Sequence, residues 1–217
     1  MSLLFAEKKL VIATHNAGKV KEFAALINHD DLQLISAGEL HLPEPDETGS
    51  SFTENAVLKS TAAALASNLP ALADDSGLSV DALDGAPGIY SARWAICAVA
   101  VAPLGAEQSR QINFVPAFQR IKKELEEKNI VANGAAASFI CVLALTLPHQ
   151  QTLVVQGQVD GHLCFPPRGE HGFGYDPIFI PSGETRSFAE MTHDEKSRYS
   201  HRARAVEMLK KTIGFVE

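Results

Sequence analysis

Cysteine is scarce in this chain, with only Cys97, Cys141 and Cys164 among 217 residues. An odd, widely spaced set with no Cys-x-x-Cys pair excludes a disulfide framework. It reads instead as reduced, mostly buried thiols of a cytoplasmic protein. Positive charge is also short: 19 Lys and Arg stand against 26 Asp and Glu, a formal net charge of -7, with a pI near 5.6. Such a chain lacks the basic face that nucleic acid or an anionic membrane requires, so any anionic ligand must meet a local basic pocket. No apolar run approaches membrane-spanning length, and the apolar part of residues 1–9 is too short for a signal peptide. Internal repeats and long linkers are missing as well. What remains is an ordinary globular composition, 46% hydrophobic and 21% charged. That is enough to bury a core in one domain over residues 1–217, built as a single body or as two closely joined lobes.

The order of elements reads as mixed α/β. Leu10 to Ala13 is a short apolar strand, followed by the polar turn Thr14-His15-Asn16-Ala17-Gly18-Lys19 and a helix with Val20, Phe23, Ala24 and Ile27 on one face. Residues 32–36 read as a second strand and 43–49, acidic and proline-bearing, as an exposed loop. Ser51-Phe52-Thr53-Glu54 has the Ser-x-x-Glu form of a capping box and opens an Ala-rich helix to about Ser67, with Lys59 in its second turn. Residues 139–147 are a strongly apolar strand, with residues 152–158 as a partner across a turn at Pro148-His149-Gln150. Ser200 caps a last helix whose stripe is Ala203, Val206, Leu209 and Ile213, with Glu207 and Lys211 paired outside.

Chemistry concentrates at Ala73-Asp74-Asp75-Ser76-Gly77, which reads as a turn between two short strands with Gly77 allowing the reversal. Adjacent acids repel, and a divalent cation or a proton relieves the repulsion. Two readings stand at this point: a metal site, or an Asx-type turn with two solvated carboxylates. Residues 14–19 pair a helix start with a lysine, which reads either as the elements of an anion site or as a capped helix with an exposed lysine. They do not form a Walker A motif, since the first glycine is missing and Val20 stands where Ser or Thr would hold magnesium. Residues 169–177 are glycine-rich but lack the Gly-x-Gly-x-x-Gly order, which disfavours a dinucleotide fold. The glycines beside Phe173 either let its face meet a planar ligand or merely shape a turn.

Together these blocks resemble one family, the inosine/xanthosine triphosphate (dITP/XTP) pyrophosphatases. The resemblance runs through residues 13–19, 47–49 with 52–56, 73–78 with 88–93, 167–169 with 172–179, then 188–191, 195–196 and 200–202. One stretch departs from it: residues 96–104 are apolar where such proteins run into a polar segment. The resemblance implies an α/β fold with an elongated mixed β-sheet and flanking helices, forming two lobes around a nucleotide-binding cleft, usually as a homodimer. It implies Asp75 as the catalytic group, binding Mg2+ and activating water, with Asp46 as the other metal ligand; Glu44 and Glu47 lie in the same acidic loop. It implies that Thr14, His15, Asn16, Ala17, Gly18 and Lys19 cradle the triphosphate with Lys59 and Ser76. Phe173, Gly174, Tyr175 and Asp176, with Lys196, His201 and Arg202, would hold the purine. For Asp74, Glu47 and His201 the structural alternatives are bracing the turn, solvation and helix capping.

Hydrolysis of a non-canonical purine nucleoside triphosphate suits these residue types. Such a substrate carries about four negative charges, which an acidic chain accepts only where lysines and a cation screen them. Carboxylate ligands without a His/Cys cluster favour Mg2+ over zinc. A phosphotransferase would need the absent P-loop features, a silent nucleotide sensor has no use for paired acids, and a pyrimidine nucleotide pyrophosphatase would share the phosphate chemistry but not the base site.

Overall fold

A computed structural model describes residues 8–29, 32–96 and 113–214. The departing segment falls almost wholly outside these residues; of it, only the backbone of Ile96 is described. Cys97 also lies outside them. The described residues form a mixed α/β fold whose six-stranded sheet has the order β2-β1-β3-β4-β5-β6. The strands are β1 Lys9–Ile12, β2 Gln33–Ser36, β3 Ala71–Val80, β4 Ala136–Thr146, β5 Thr152–Leu163 and β6 Phe179–Pro181. The helices are α1 Ala17–Ile27, α2 Phe52–Ser67, α3 Ser91–Ile96, α4 Val115–Glu127, α5 His193–Ser197 and α6 His201–Thr212. The chain divides into two compact units. Unit 1 holds residues 1–75, 141–158 and 199–217; unit 2 holds 76–140 and 159–198.

In unit 1, β1 runs parallel to both β2 and β3, with Ile12 opposite Ser36 on one side and Leu72 on the other. Strand alternation sends Leu10 and Ile12 to one face and Val11 to the other. The first face meets Phe23 and Ile27 of α1 and Val206 and Leu209 of α6 in a common core with Leu72, Leu143 and Leu145. The second packs Val11 and Ala71 against Ala63 and Ala64 of α2. This register sets the end of β1, where the 14–19 loop begins, beside Leu72, two residues before Asp74. Parallel strands commonly carry their ligands at such carboxyl ends.

Local sequence explains the helix starts. The Asn16 side-chain oxygen Oδ1 accepts from the backbone N–H of Gly18 at 2.8 Å and of Lys19 at 3.3 Å, and Ser200 Oγ accepts from Ala203 N at 3.1 Å. At α2, Ser51 Oγ accepts from Glu54 N, as a capping box requires, but the Glu54 carboxylate reaches one residue further out, to Ser50 N at 2.6 Å and Ser50 Oγ at 2.8 Å. Two predicted stripes shift. In α1, Ala24 is exposed and Glu22 is buried; in α6, Ala205 is buried in place of the half-buried Ala203.

The predicted turn at 73–77 is not there. β3 runs unbroken through Asp74, Asp75 and Gly77, and a helical turn follows it at residues 81–83. Cationic side chains meet both acids, as described below, so no charge repulsion breaks the strand.

Unit 2 is built around aromatic rings. Phe139 of β4 meets Phe179 of β6 edge-on with centroids 4.7 Å apart, and Phe188 lies 5.3 Å from Phe179. β5 and β6 pair antiparallel, Leu163 opposite Phe179, and Gly161 lets them close: a Cβ there would sit 2.2 Å from the Ile180 carbonyl oxygen.

Candidate active site

The centre of the site in unit 1 is the pair Asp74 and Asp75, both buried on β3. Neighbours on a strand point to opposite faces, and these two carboxylates find different partners. Asp74 accepts from Lys19 Nζ at 3.0 Å on each oxygen and from Arg202 at 3.1 Å. Asp75 accepts from Lys59 Nζ at 3.1 Å and Asn55 Nδ2 at 3.3 Å. Their acidities separate accordingly. Burial pushes Asp74 up, but the Lys19, Arg202 and Lys59 charges overcome it and hold the carboxyl far below the usual range. At Asp75 burial wins, and the carboxyl is raised against the pull of Lys59. Adjacent carboxylates driven apart in this way suit different roles, a permanently ionised anchor and a proton acceptor.

Around Asp75 the acidic loop closes in. Lys59 Nζ also donates to Glu47 at 2.7 Å, and the Asn55 side-chain oxygen Oδ1 accepts from Gly49 N at 2.9 Å. Asn55 and Lys59 are four residues apart on α2, hence on one face. Asn55 is a site residue that the sequence reading passed over; its spacing from Lys59 was the available signal. Burial lowers the Lys59 ammonium, but Asp75 and Asp74 outweigh this and its pKa is raised, so it stays charged. Asp46 is exposed on the same loop, next to Glu47.

Glu22 is the second residue passed over. Its carboxylate accepts from Arg202 at 2.6 Å, and the guanidinium, 2% exposed, lies between Glu22 and Asp74. The buried Arg202 is therefore clamped by two carboxylates of unit 1. His201, which opens α6, is buried as well.

In the 14–19 loop, Thr14 Oγ1 accepts from Asn16 N and the Asn16 side chain caps the helix, while His15 Nε2 lies 2.9 Å from the Leu42 carbonyl oxygen. Ala17 and Gly18 form the first turn of α1, and Lys19 keeps part of its side chain exposed. Ser76 is half-buried on β3, where unit 2 begins.

Unit 2 gathers the glycine-rich block with Lys196. Asp176 Oδ2, buried, accepts from Lys196 Nζ at 2.6 Å and from Phe173 N at 2.9 Å. Gly172 has φ +76, and a Cβ there would meet that carboxylate at 2.1 Å, so only glycine fits. The Phe173 ring is 54% exposed, with the Lys196 ammonium 5.1 Å from its centroid. Gly174 has φ +69, and Tyr175 is buried, donating its hydroxyl to the Ser91 carbonyl.

A family model described as Ham1p_like, the Ham1 family, matches residues 10–212. The chain belongs to the Ham1 family. Among Ham1 relatives, the dITP/XTP pyrophosphatase of Rhodospirillum centenum is 51% identical over 205 residues, covering 94% of both chains. That of Gluconobacter oxydans is 46% identical over 206 residues, covering 95% of this chain and 91% of the other. The solved structure of a HAM1 protein from Coxiella burnetii superposes with a TM-score of 0.81 at 35% identity, covering 96% of this chain and 99% of that one. The Staphylococcus aureus Ham1 protein gives 0.74 at 36% identity, with 95% and 98% covered. The Ham1 fold thus extends over nearly the whole chain.

Among the described residues no group of three or more His, Cys, Asp or Glu is arranged around one point. The donor set suits a hard cation all the same. Asp75 and Glu47 present carboxylate oxygens to the same Lys59 ammonium, and magnesium typically takes one or two carboxylates with phosphate oxygens and water. No helix of the described residues is long and apolar enough to cross a membrane.

Proposed function

We propose that this chain hydrolyses the non-canonical purine nucleoside triphosphates ITP, dITP and XTP between the α and β phosphates, releasing the nucleoside monophosphate and pyrophosphate. The observation that carries the reading is the buried Asp75 carboxylate, raised by burial and held by Lys59 and Asn55 beside Glu47. The dITP/XTP pyrophosphatase relatives at 46% and 51% identity supply its substrate class.

In this reading Asp75 orients the attacking water and takes its proton, a task for which a raised carboxyl pKa is suited. Asp75 and the acidic loop, through Asp46 or its neighbour Glu47, would hold a divalent cation, Mg2+ by the hardness of the ligands. When bound, that cation supplies charge neutralisation of the triphosphate and polarises water. Lys19 stands at the positive end of α1 and offers its ammonium to the phosphates, with Thr14, Asn16, Ala17 and Gly18 as further contacts. Asp74 holds Lys19 in place, and Arg202 and Glu22 hold Asp74.

For the base, Phe173 offers an exposed aromatic face, and Lys196, with one donor on Asp176, has others for a 6-oxo acceptor. Adenine presents an amino donor at that position and would leave the remaining ammonium donors without an acceptor. Gly174 and Tyr175 continue the block that carries Phe173. The reading also carries a homodimer and a cytoplasmic place of action. The motif blocks shared with the family support the first, and the buried thiols of Cys141 and Cys164 suit a reducing compartment. The test is a panel of nucleoside triphosphates with Mg2+, scored for monophosphate and pyrophosphate.

A further inference from the structure

We propose that His15 is a positioning residue whose ring clasps the acidic loop of residues 43–49 to the phosphate loop of residues 14–19, without itself touching the substrate. The proposal rests on the reading of these two loops given above. His15 Nε2 lies 2.9 Å from the carbonyl oxygen of Leu42. A carbonyl only accepts, so Nε2 carries the hydrogen, and the ring's donor is committed across 27 residues of sequence rather than offered to a phosphate. The ring edge lies over Gly38, where an added Cβ would stand 3.6 Å from Cδ2. His15, Ala37, Leu42, Pro45 and Lys59 line a small cavity of about 10 Å³ at this junction.

The acidic loop needs such a tether. It has no regular structure, and Pro43 and Pro45 have no N–H with which to tie it. Its far end is fixed by Lys59 on Glu47 and Asn55 on Gly49. Its near end is fixed by the Leu42 N–H on Ala37 and by His15 on the Leu42 carbonyl. Of these ties, His15 alone comes from the loop that carries Lys19. Glu44 adds little: its carboxylate is exposed and 3.9 Å from Nδ1. When Lys19 engages a phosphate, the clasp would carry the metal-binding acids with it.

The test compares His15→Ala with His15→Gln, whose amide keeps a donor of similar reach. Backbone amide exchange at Glu44, Asp46, Glu47 and Thr48 is measured in protein free of metal and nucleotide. The clasp predicts exchange faster by about three- to tenfold in His15→Ala, the worth of one hydrogen bond, and restored in His15→Gln. It also predicts a matching rise in the Mg2+ concentration for half-maximal ITP turnover in His15→Ala, with KM for ITP at saturating Mg2+ nearly unchanged. Unchanged exchange in His15→Ala overturns the proposal, as does a rise confined to KM that His15→Gln does not restore. Absence of turnover in the wild-type protein would sink the functional reading alone, since the exchange measurement still decides the clasp.

Discussion

Asp74 and Asp75 are adjacent on β3 yet answer to different cations, Asp74 to Lys19 and Arg202 and Asp75 to Lys59. Isosteric amides should therefore have different consequences. Asp75→Asn is expected to remove at least about a hundredfold of kcat, because the amide is neither base nor charged ligand. Its Tm should hold or rise, since a carboxylate kept ionised against burial is a stability cost. Asp74→Asn leaves Lys19 and Arg202 short of a buried counter-charge and should cost about 3 kcal/mol, a fall in Tm on the order of 10 °C. Thermal melts beside initial rates separate the two; equal losses of Tm and activity in Asp75→Asn would make it a structural residue.

Asp74 also sets the acid response. Its carboxyl is depressed in the folded protein from an ordinary value of 3.8. Its contribution is therefore complete above about pH 4 and is lost as pH falls below that towards the folded value. Wild-type Tm should fall as pH is lowered from about 4 towards 2, and the fall should be shallower in Asp74→Asn. Parallel curves would show that Asp74 does not carry this dependence.

Lys19→Ala should raise KM for the nucleotide and lower kcat, because a phosphate contact tightens as charge develops in the transition state. Steady-state kinetics decide it. Unchanged constants would remove the 14–19 loop from the site.

Arg202 and Phe173 make a contrasting pair. Arg202→Ala strips Glu22 and Asp74 of their common partner in the core, so Tm should fall by on the order of 10 °C. Phe173→Ala removes a ring that is 54% exposed; Tm should move by less than about 2 °C while kcat/KM falls similarly for ITP and ATP. A stable Arg202→Ala protein with a narrowed ITP to ATP ratio would instead assign the guanidinium to base recognition.

What the sequence made legible was local. Ser51 and Ser200 announce their helices because capping involves residues two or three positions apart, and α2 and β4 follow from composition and apolar pattern. What escaped depends on distant partners. Two adjacent acids beside a glycine read as a turn until Lys19, Arg202 and Lys59 arrive by folding and let the strand continue. Glu22 looks like a surface residue of α1, and its buried partner Arg202 lies 180 positions away. Within the site, Lys59 and Asp75 were legible as chemistry, whereas Asn55, which joins Asp75 to the acidic loop, carries no charge to betray it.

The central claim is tested most directly by incubating the purified protein and Mg2+ with ITP, dITP, XTP, ATP and GTP and identifying both products. The account predicts monophosphate and pyrophosphate from ITP, dITP and XTP, lost on chelation, with kcat/KM for ITP about a hundredfold or more above that for ATP. Orthophosphate as the primary product, or ATP turned over as well as ITP, would contradict it.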